Sequence, residues 1–310
     1  MTDSKPKLIA VVGPTASGKT ELSLRLAEAL DGEILSCDSM QIYRGMDIGT
    51  AKPTLEERRG IPHHLIDIAD PGEPFSCADY KCLAEAAVAD VLARGKTPIF
   101  CGGTGLYLDA VLSVGDFSPS VPEGLREELQ KQDPDVLWEE LLAVDPEAAA
   151  AMHKNNLKRV IRALEIYRGT GKTKTEWDRL SKQKENPYDT LMIGLDYQDR
   201  QALYRRIELR VDLMLEQGLA EEAKTLSLDR TSTAGQAIGY KELYLWLDGD
   251  LSQEQAVALL KKNTRHYAKR QLTWFRRNPN VRWFYPDAQE RETFFENIVN
   301  IAKNHLTRAE

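Results

Sequence analysis

A glycine-rich turn near the N-terminus constrains the fold more than any other feature of the sequence. Residues 13–20 read GPTASGKT, which fits the phosphate-loop pattern GxxxxGK[ST]. The apolar run Leu8–Val12 before the motif is typical of a buried parallel strand, and Glu21–Leu30 after it has apolar residues at helical spacing. In such a loop, backbone amides and Lys19 hold a di- or triphosphate, and Thr20 can bind Mg²⁺. The candidate phosphate-binding residues are Gly13, Pro14, Thr15, Ala16, Ser17, Gly18, Lys19 and Thr20.

Short apolar runs and helical patterns alternate along the first third of the chain. Glu33–Ser36 and Pro98–Cys101 are further strand candidates, and Phe75–Ala93 reads as a helix. The chain after Arg200 reads as helical. Strands that alternate with helices imply a parallel sheet with helices on both faces. The sequence therefore predicts an α/β fold, with a P-loop-type parallel sheet core flanked by helices.

A second segment interrupts this core. Gly115–Pro122 is rich in Pro, Gly and Ser and breaks the pattern, and the chain beyond it reads as helical until Pro187. Thr190–Tyr197 then reads as a strand again. We therefore predict an inserted all-helical domain. The expected boundaries are 1–115 and 189–310 for the catalytic core and 116–188 for the insertion.

Composition narrows the class of protein. The chain has 310 residues, 42% hydrophobic and 29% charged, which is ordinary for a globular protein. No apolar run approaches the roughly 18 residues of a transmembrane helix, and the polar N-terminus shows no signal peptide, so we expect a cytoplasmic protein with no membrane partner. The four scattered cysteines have no CxxC spacing, which argues against a zinc site. No large apolar surface stripe is left unexplained, so we expect a monomer.

Two further turns follow predicted strands, where an open parallel sheet presents its ligand crevice. In the first turn, Asp38 could hold the metal, accept a proton from a nucleophile, or cap a helix. Gln41, in the same turn, could read a base edge through its amide. The second turn reads GGTG at 102–105, and Thr104 there could either meet a ligand or cap the following helix. The residues alone leave these alternatives open.

Two stretches are strongly basic although the whole chain carries a net charge of −7. Residues 255–286 hold eight cations and no Asp or Glu, and residues 154–184 hold ten cations against three anions. On a helix, Lys261, Arg265 and Lys269 fall on one face. Basic faces of this size bind phosphate backbones, so the sequence predicts a nucleic-acid partner. Neither cluster has the apolar anchor face of a membrane-binding helix.

Eight motifs occur in a fixed order along the chain. They are GPTASGKT at 13–20, DSMQIY at 38–43, DIGTAKP at 47–53, HHLID at 63–67, GGTGLY at 102–107, RALE at 162–165, QAIGYKE at 236–242 and KRQLTWFR at 269–276. The set closely resembles the bacterial tRNA dimethylallyltransferases, also called tRNA isopentenyltransferases. The resemblance covers nearly the whole chain, from about Leu8 to Arg276. Eukaryotic members often add a C-terminal zinc finger, for which this chain lacks the cysteines.

The resemblance implies a reaction. The family transfers the dimethylallyl group of dimethylallyl diphosphate to N6 of the adenosine that is 3′-adjacent to the anticodon in tRNA, and diphosphate leaves. The family's loop holds the prenyl diphosphate, so a likeness to ATP-binding proteins rests on the loop alone, and Mg²⁺ is the expected ion. Asp38 matches the family's base, and Thr104 matches a residue that contacts the substrates at the reacting centre. We expect at least one arginine of residues 205–210 to reach the diphosphate, and the candidates are Arg206 and Arg210, one helical turn apart.

The resemblance also implies an RNA partner, the anticodon stem-loop of tRNA, clamped by the inserted domain. The expected tRNA-binding residues are Asp38, Ser39, Met40, Gln41, Thr104, Arg126, Lys158, Arg159, Val160, Ile161, Arg162, Gln236, Gly239, Lys241, Lys269, Arg270 and Arg276. His63 and His64 also lie in a matching motif. An acid–base role is open for them, but a structural role is favoured because Asp38 already fills the role of base.

Three other functions stay open. A prenyltransferase acting on free adenine nucleotides needs the same loop and base, but neither basic face nor the inserted domain. A P-loop small-molecule kinase needs ATP turnover and a site for an acceptor hydroxyl. A noncatalytic RNA-binding P-loop protein would keep its biological activity without Asp38.

Overall fold

The structure is a computed structural model, and it describes residues 5–113, 119, 121–182 and 185–308, with residues 181 and 182 as backbone only. The chain forms two compact units. One consists of Met1–Val111 together with Tyr188–Glu310, and the other of Leu112–Pro187. The predicted start of the insertion, at residue 116, lies outside the described residues.

A parallel sheet forms the centre of the larger unit. Within the described residues it has six strands in the order β3-β2-β4-β1-β5-β6, and every neighbouring pair is parallel. The strands are β1 Lys7–Val12, β2 Gly32–Cys37, β3 His63–His64, β4 Thr97–Gly102, β5 Asp189–Leu195 and β6 Val281–Phe284. The predicted α/β fold with a parallel sheet is confirmed.

Helices flank the sheet and make up the inserted unit. They are α1 Lys19–Leu30, α2 Cys77–Ala93, α3 Gly105–Val111, α4 Leu125–Gln130, α5 Pro134–Val144, α6 Pro146–Ala150, α7 Leu157–Thr170, α8 Lys174–Lys182, α9 Arg200–Glu216, α10 Leu219–Leu226, α11 Tyr240–Leu247, α12 Gln253–Phe275 and α13 Arg291–Thr307. Helices α4 to α8 belong to the inserted unit, and its described residues form no strand. The prediction of an all-helical insertion is confirmed for that part of the chain.

Each unit has an apolar core of its own. Strand residues Ile9, Val11 and Ile193 pack with α1 and α13, where Phe294 and Ile298 are buried. In the helical unit, the core is built from α4, α5, α6 and α7. Its fully or almost fully buried side chains are Leu129, Leu137, Leu141, Ala149, Val160, Ile161, Ala163 and Leu164. No described helix combines the length and the apolar character needed to cross a bilayer.

Two strands were not predicted. β3 has only two residues, which is too short to give a periodic signal. β6 contradicts the prediction that the chain is helical after Arg200. Its sequence VRWF alternates only once, which gives a weak signal for a strand. The Trp283 ring lies against Gly194 of β5, which has no side chain there.

The register brings the strand ends that carry the functional turns to one edge of the sheet. Val12 pairs with Gly102 and Gly194, and Cys37 also pairs with Gly102. The sheet closes tightly here, because a Cβ atom on Gly102 would lie 2.0 Å from the backbone oxygen of Cys37. The turns after β1, β2 and β4 are therefore neighbours.

We expect Gly102→Ala to destabilise the protein by about 3 kcal/mol, because the added methyl group overlaps the β2 backbone and forces the strands apart. Urea denaturation followed by circular dichroism measures the loss. Gly72→Ala is the matched control, since a Cβ atom at Gly72 meets no atom within 4 Å. Equal midpoints for the two variants would show that the sheet edge accommodates the methyl group.

Candidate active site

The loop between β1 and α1 is wrapped in the way that phosphate binding requires. Gly13 has φ 142° and Gly18 has φ 96°, and Ala16 also lies in the left-handed region at φ 63°. A Cβ atom on Gly13 would approach the Leu195 oxygen to 2.5 Å, so the loop lies directly on the end of β5. Within the described residues, Ser17 Oγ is the one buried side-chain oxygen or nitrogen without a hydrogen-bond partner. Since buried hydroxyls are normally satisfied, this atom indicates a ligand position.

Lys19 holds its charge in a poorly solvated position beside the loop. Its Nζ donates a hydrogen bond to the Pro14 carbonyl at 2.7 Å. Burial lowers the pKa of Lys19 to about 8, and Arg210 acts in the same direction, while Asp38 opposes the shift. A bound anion would restore the charged form, because it replaces the missing solvation.

Two arginines of α9 reach the same loop. Arg206 Nε donates to the Ala16 carbonyl at 2.9 Å, and Arg210 Nη1 lies 3.4 Å from Thr15 Oγ1. Burial lowers the pKa of Arg210, which lies in the same cavity as Asp38 and Lys19. The structure thus places both predicted arginines beside the phosphate loop, close to Lys19.

Asp38 lies in a turn that directly follows β2. Its Oδ1 accepts a hydrogen bond from Met40 N–H at 2.9 Å, and no helix begins there, so the capping alternative is wrong. Asp38 lines a cavity together with Thr15, Lys19, Thr20 and Arg210. A carboxylate therefore lies in one cavity with the phosphate loop.

The GGTG turn closes against the Asp38 turn. Thr104 N–H donates to the Cys37 carbonyl at 3.1 Å, and Thr104 Oγ1 accepts from Ser39 N–H at 3.0 Å. The hydroxyl also lies 3.3 Å from Ser39 Oγ. Thr104 precedes α3, but its side chain ties the two turns together instead of capping that helix. We call residues 102–105 the acceptor turn.

Gln41 is committed to protein contacts. Its Oε1 accepts from Ser36 Oγ at 2.8 Å, and its Nε2 donates to the carbonyls of Thr50 and Ala51 at 3.3 and 3.2 Å. Gln41 therefore holds the 50–51 backbone in this structure, and both amide hydrogens already have protein acceptors.

Sequence reasoning missed two residues of α12 that line this cavity, Tyr267 and Gln271. Burial raises the pKa of Tyr267 well above the usual range. Leu260, Tyr267 and Trp274 recur every seven residues, a spacing that predicts a stripe facing the core, but only Leu260 is buried. Trp274 instead donates to Asp109 Oδ2 at 3.0 Å. A hydrophobic period does not distinguish a core stripe from a cavity wall.

The two histidines differ. His64 Nε2 lies 2.7 Å from Glu33 Oε2, and Glu33 also pairs with Arg94, so His64 belongs to a structural ion network. His63 lines the cavity, and its Nδ1 lies 2.9 Å from the Ile61 carbonyl. Burial lowers the pKa of His63, so its neutral form is favoured.

Comparison with known proteins identifies the family. The family model described as IPP transferase matches residues 41–278, and a second, described as isopentenyl transferase, matches residues 6–68. The chain belongs to the IPP transferase family. The tRNA dimethylallyltransferase of Halalkalibacterium halodurans is 52% identical to it over 290 residues, covering 90% of this chain and 91% of that protein.

Solved structures of the family match along the chain. The full-length tRNA isopentenylpyrophosphate transferase of Bacillus halodurans is 48% identical, covers 97% of both chains and superposes with a TM-score of 0.73. A eukaryotic dimethylallyltransferase, described as acting on tRNA, is 32% identical and covers 97% of this chain and 80% of its own, with a TM-score of 0.85. The α/β core with its inserted helices is therefore the fold of this family.

The basic face of α12 in this family member is partly neutralised. Lys261 pairs with Asp212 at 2.6 Å and Arg265 with Glu208, so α9 supplies the countercharges that the 255–286 segment lacks. Arg276 is exposed but pairs with the buried Asp196 at 2.6 Å. The expectation of one uncompensated row of cations is wrong for the first two. The exposed cations of this segment that have no acidic partner among the described residues are Lys262, Lys269, Arg270, Arg277 and Arg282.

The inserted unit also divides its predicted RNA-binding residues. Lys158 and Arg159 are exposed, whereas Val160 and Ile161 are buried in the helical core, so the side chains of these two cannot form an RNA-binding surface. Arg126 and Arg162 each donate to the buried Glu165 at 2.8 Å. Of the other cations counted in this stretch, Lys182 and Lys184 lie outside the described side chains.

The 236–242 motif is largely structural. Gly239 has φ 106°, and its N–H donates to the buried Glu242 carboxylate at 2.8 Å at the start of α11. The Gln236 side chain donates to the Arg230 carbonyl. Lys241 lies 3.7 Å from Glu242. These contacts hold the segment in place. The sequence alone does not show whether residues of this motif make such internal contacts or bind RNA.

Other motif residues build a carboxylate-centred network nearby. Glu222 accepts from the backbone N–H groups of Asp47, Ile48 and Gly49 and from the Tyr240 hydroxyl, at 2.6 to 3.1 Å. A Cβ atom on Gly49 would lie 2.5 Å from the Tyr240 ring. The DIGTAKP and QAIGYKE motifs are thus linked through Glu222.

We expect the affinity for dimethylallyl diphosphate, the ligand implied by the family resemblance, to fall as the pH rises through about 8. A lowered pKa moves the loss of the Lys19 charge into this range. The ligand is already fully ionised above about pH 7, so it does not mask the effect. Calorimetric titrations between pH 7 and 9.5 should show up to a tenfold loss per pH unit above the pKa. Lys19→Arg, which stays charged, should abolish this pH dependence, and a flat wild-type profile would contradict the assignment.

Proposed function

We propose that this protein is a tRNA dimethylallyltransferase that transfers the dimethylallyl group of dimethylallyl diphosphate to N6 of the adenosine 3′-adjacent to the anticodon. The observation that carries the proposal is the shared cavity, in which Asp38 lies with the phosphate loop and its cations. The family membership of the chain and the tRNA-modifying names of its relatives support the same reaction.

The donor diphosphate is bound by the loop and by three cations. Backbone amides of a wrapped loop point at phosphate oxygens, and the N-terminus of α1 adds a favourable dipole. The unpartnered Ser17 hydroxyl supplies a further donor, and Lys19, Arg206 and Arg210 neutralise the negative charge. These donors act most strongly on the diphosphate as it leaves, because its charge grows when the allylic carbon–oxygen bond breaks.

Mg²⁺ fits this site through a small number of protein oxygens. The Thr20 hydroxyl lines the cavity together with the Asp38 carboxylate, and the described residues hold no cluster of three or more acidic, His or Cys side chains that could bind a metal. Mg²⁺ at phosphate sites takes one or two protein ligands and completes its shell with phosphate oxygens and water. Thr20 would hold the ion, which when bound adds positive charge at the diphosphate.

The acceptor chemistry assigns Asp38 as the base. The N6 lone pair forms a bond to the allylic carbon, the bond from that carbon to the diphosphate oxygen breaks, and the N6 proton passes to the Asp38 carboxylate. The Met40 N–H holds Oδ1 of Asp38, so the carboxylate has a fixed orientation. Thr104 positions the Asp38 turn, because its hydroxyl accepts a hydrogen bond from Ser39 N–H.

An RNA acceptor is favoured over a free nucleotide by the exposed cations. Lys269 and Arg270 on α12 are exposed at the helix that lines the cavity, and Lys158 and Arg159 are exposed on the inserted unit. A free adenine nucleotide would leave these surfaces without a partner. The target base of an anticodon loop must leave its stack to reach a cavity, as in other base-modifying enzymes.

The decisive experiment offers labelled dimethylallyl diphosphate and Mg²⁺ to the enzyme with unmodified tRNA and with AMP in parallel. We expect label in tRNA only, and no label when the adenosine next to the anticodon is replaced by guanosine. Label in AMP alone would instead assign a nucleotide prenyltransferase. Absence of label from both, with turnover of ATP on a small hydroxyl compound, would assign a kinase.

Asp38→Asn should lower transfer to tRNA by at least a thousandfold, because the amide keeps the Met40 contact but cannot accept the proton. Radiolabel incorporation measures the rate, and filter binding measures tRNA affinity, which should change less than threefold. A loss of affinity as large as the loss of rate would assign Asp38 to binding instead of proton transfer.

Replacing two unpaired cations of α12 should affect RNA binding more than replacing two paired ones. Lys269→Ala with Arg270→Ala should weaken tRNA binding and lower the slope of log K against log salt by about two. Lys261→Ala with Arg265→Ala is the matched control, since these cations pair with Asp212 and Glu208. Binding titrations at several salt concentrations compare the two. Equal slopes would place the RNA on the paired face as well.

A further inference from the structure

One side chain of α12 bridges the phosphate loop and the acceptor turn. Gln271 Oε1 accepts a hydrogen bond from Thr15 N–H at 2.9 Å, and Gln271 Nε2 donates to the Gly103 carbonyl at 3.1 Å. The side chain is almost fully buried, with 4% of its surface exposed. A single carboxamide therefore satisfies a donor of one turn and an acceptor of the other, in segments that are far apart in the sequence.

The acceptor turn is shaped to receive this side chain. A Cβ atom on Gly103 would lie 1.9 Å from Gln271 Nε2, although Gly103 does not have a positive φ. Glycine is thus required at 103 by the approach of Gln271 and not by the backbone conformation. This gives the second glycine of the GGTG motif a physical reason that the motif alone does not provide.

Gln271 joins the segment proposed to bind the donor diphosphate to the segment that holds the proposed base in place. Thr15 belongs to the phosphate loop, residues 13–20, and lies beside Arg210. Gly103 precedes Thr104, which holds the Asp38 turn. One helical turn before Gln271, Tyr267 of the same helix also lines the cavity. The exposed Lys269 and Arg270 lie between Tyr267 and Gln271 on α12.

We propose that Gln271 is a positioning residue that holds the phosphate loop and the acceptor turn at a fixed separation. The allylic carbon of the bound donor and the amine held by Asp38 then lie at reacting distance. The proposal rests on the proposed function. Small errors in such an alignment are costly, because a displacement of about 1 Å can lower a rate a hundredfold. The bridge also fixes the loop before the donor binds, which reduces the ordering that binding must impose.

Two substitutions separate the halves of the bridge. Gln271→Met has a similar shape and loses both hydrogen bonds. Gln271→Glu keeps the acceptor for Thr15 N–H, but an ionised carboxylate cannot donate to the Gly103 carbonyl. A protonated carboxyl can donate, and burial raises the pKa of a carboxyl above its ordinary value near 4.3. The glutamate variant should therefore recover the bridge as the pH falls.

For Gln271→Met we expect kcat for transfer to tRNA to fall about a hundredfold, and binding of inorganic diphosphate with Mg²⁺, measured by calorimetry, to weaken five- to tenfold. For Gln271→Glu the ratio of its kcat to that of the wild type should rise at least tenfold between pH 8 and pH 5.5. The ratio for Gln271→Met should stay constant. Parallel pH profiles for the glutamate variant and the wild type would overturn the proposal, as would a kcat for Gln271→Met within threefold of the wild type.

Asn263→Leu is the matched control for stability. Asn263 lies on the same helix but does not line the cavity, and its side chain donates a hydrogen bond of 2.7 Å to Glu242. This variant should lower the unfolding temperature about as much as Gln271→Met and leave the kinetics unchanged. Should Gln271→Met fail to fold, the pH profile of Gln271→Glu decides alone. Should the wild type transfer no label to tRNA, the proposed function fails, and the diphosphate titrations still test the bridge.

Discussion

The parallel pairing of β1, β2, β4 and β5 is the constraint on which the rest of the structure depends. Backbone register places Val12, Cys37 and Gly102 side by side, so the turns that follow them must share one edge. Gly102 and Gly13 permit this edge to close, since a side chain at either would overlap a neighbouring strand. The phosphate loop, the Asp38 turn and the acceptor turn therefore lie side by side because of the order of the strands.

Electrostatic strain at this edge prepares it for an anionic ligand. Lys19 and Arg210 lie in a poorly solvated cavity, and burial lowers the pKa of both. Ser17 leaves a buried hydroxyl without a partner. A bound diphosphate, as proposed, would remove these costs together, because one ligand would satisfy both the cations and the hydroxyl. Helix α12, which is far from the phosphate loop in the sequence, completes the cavity wall with Tyr267 and Gln271.

Ion pairs within the protein determine which of its many basic residues are available to bind RNA. Lys261, Arg265 and Arg276 are each held by a carboxylate of another element, and Arg126 and Arg162 share the buried Glu165. An RNA phosphate must compete with these carboxylates for such cations. Lys269 and Arg270 face solvent without that competition, so a count of charges along the chain overstates the RNA-binding surface.

The sequence by itself determined the α/β class, the phosphate loop and the identity of Asp38 and Thr104 as turn residues after strands, because glycine spacing and short apolar runs are local signals. Arg206 and Arg210 were candidates because of the family resemblance, and the structure shows that both reach the phosphate loop. Only the tertiary structure decided that α9 neutralises α12, that Val160 and Ile161 are core, and that Gln41 supports the backbone. It alone revealed Gln271, because a bridge between residues 15, 103 and 271 leaves no periodic trace in the chain. Partners that distant in sequence are chosen by the packing of helices on the sheet, and no local pattern encodes that choice.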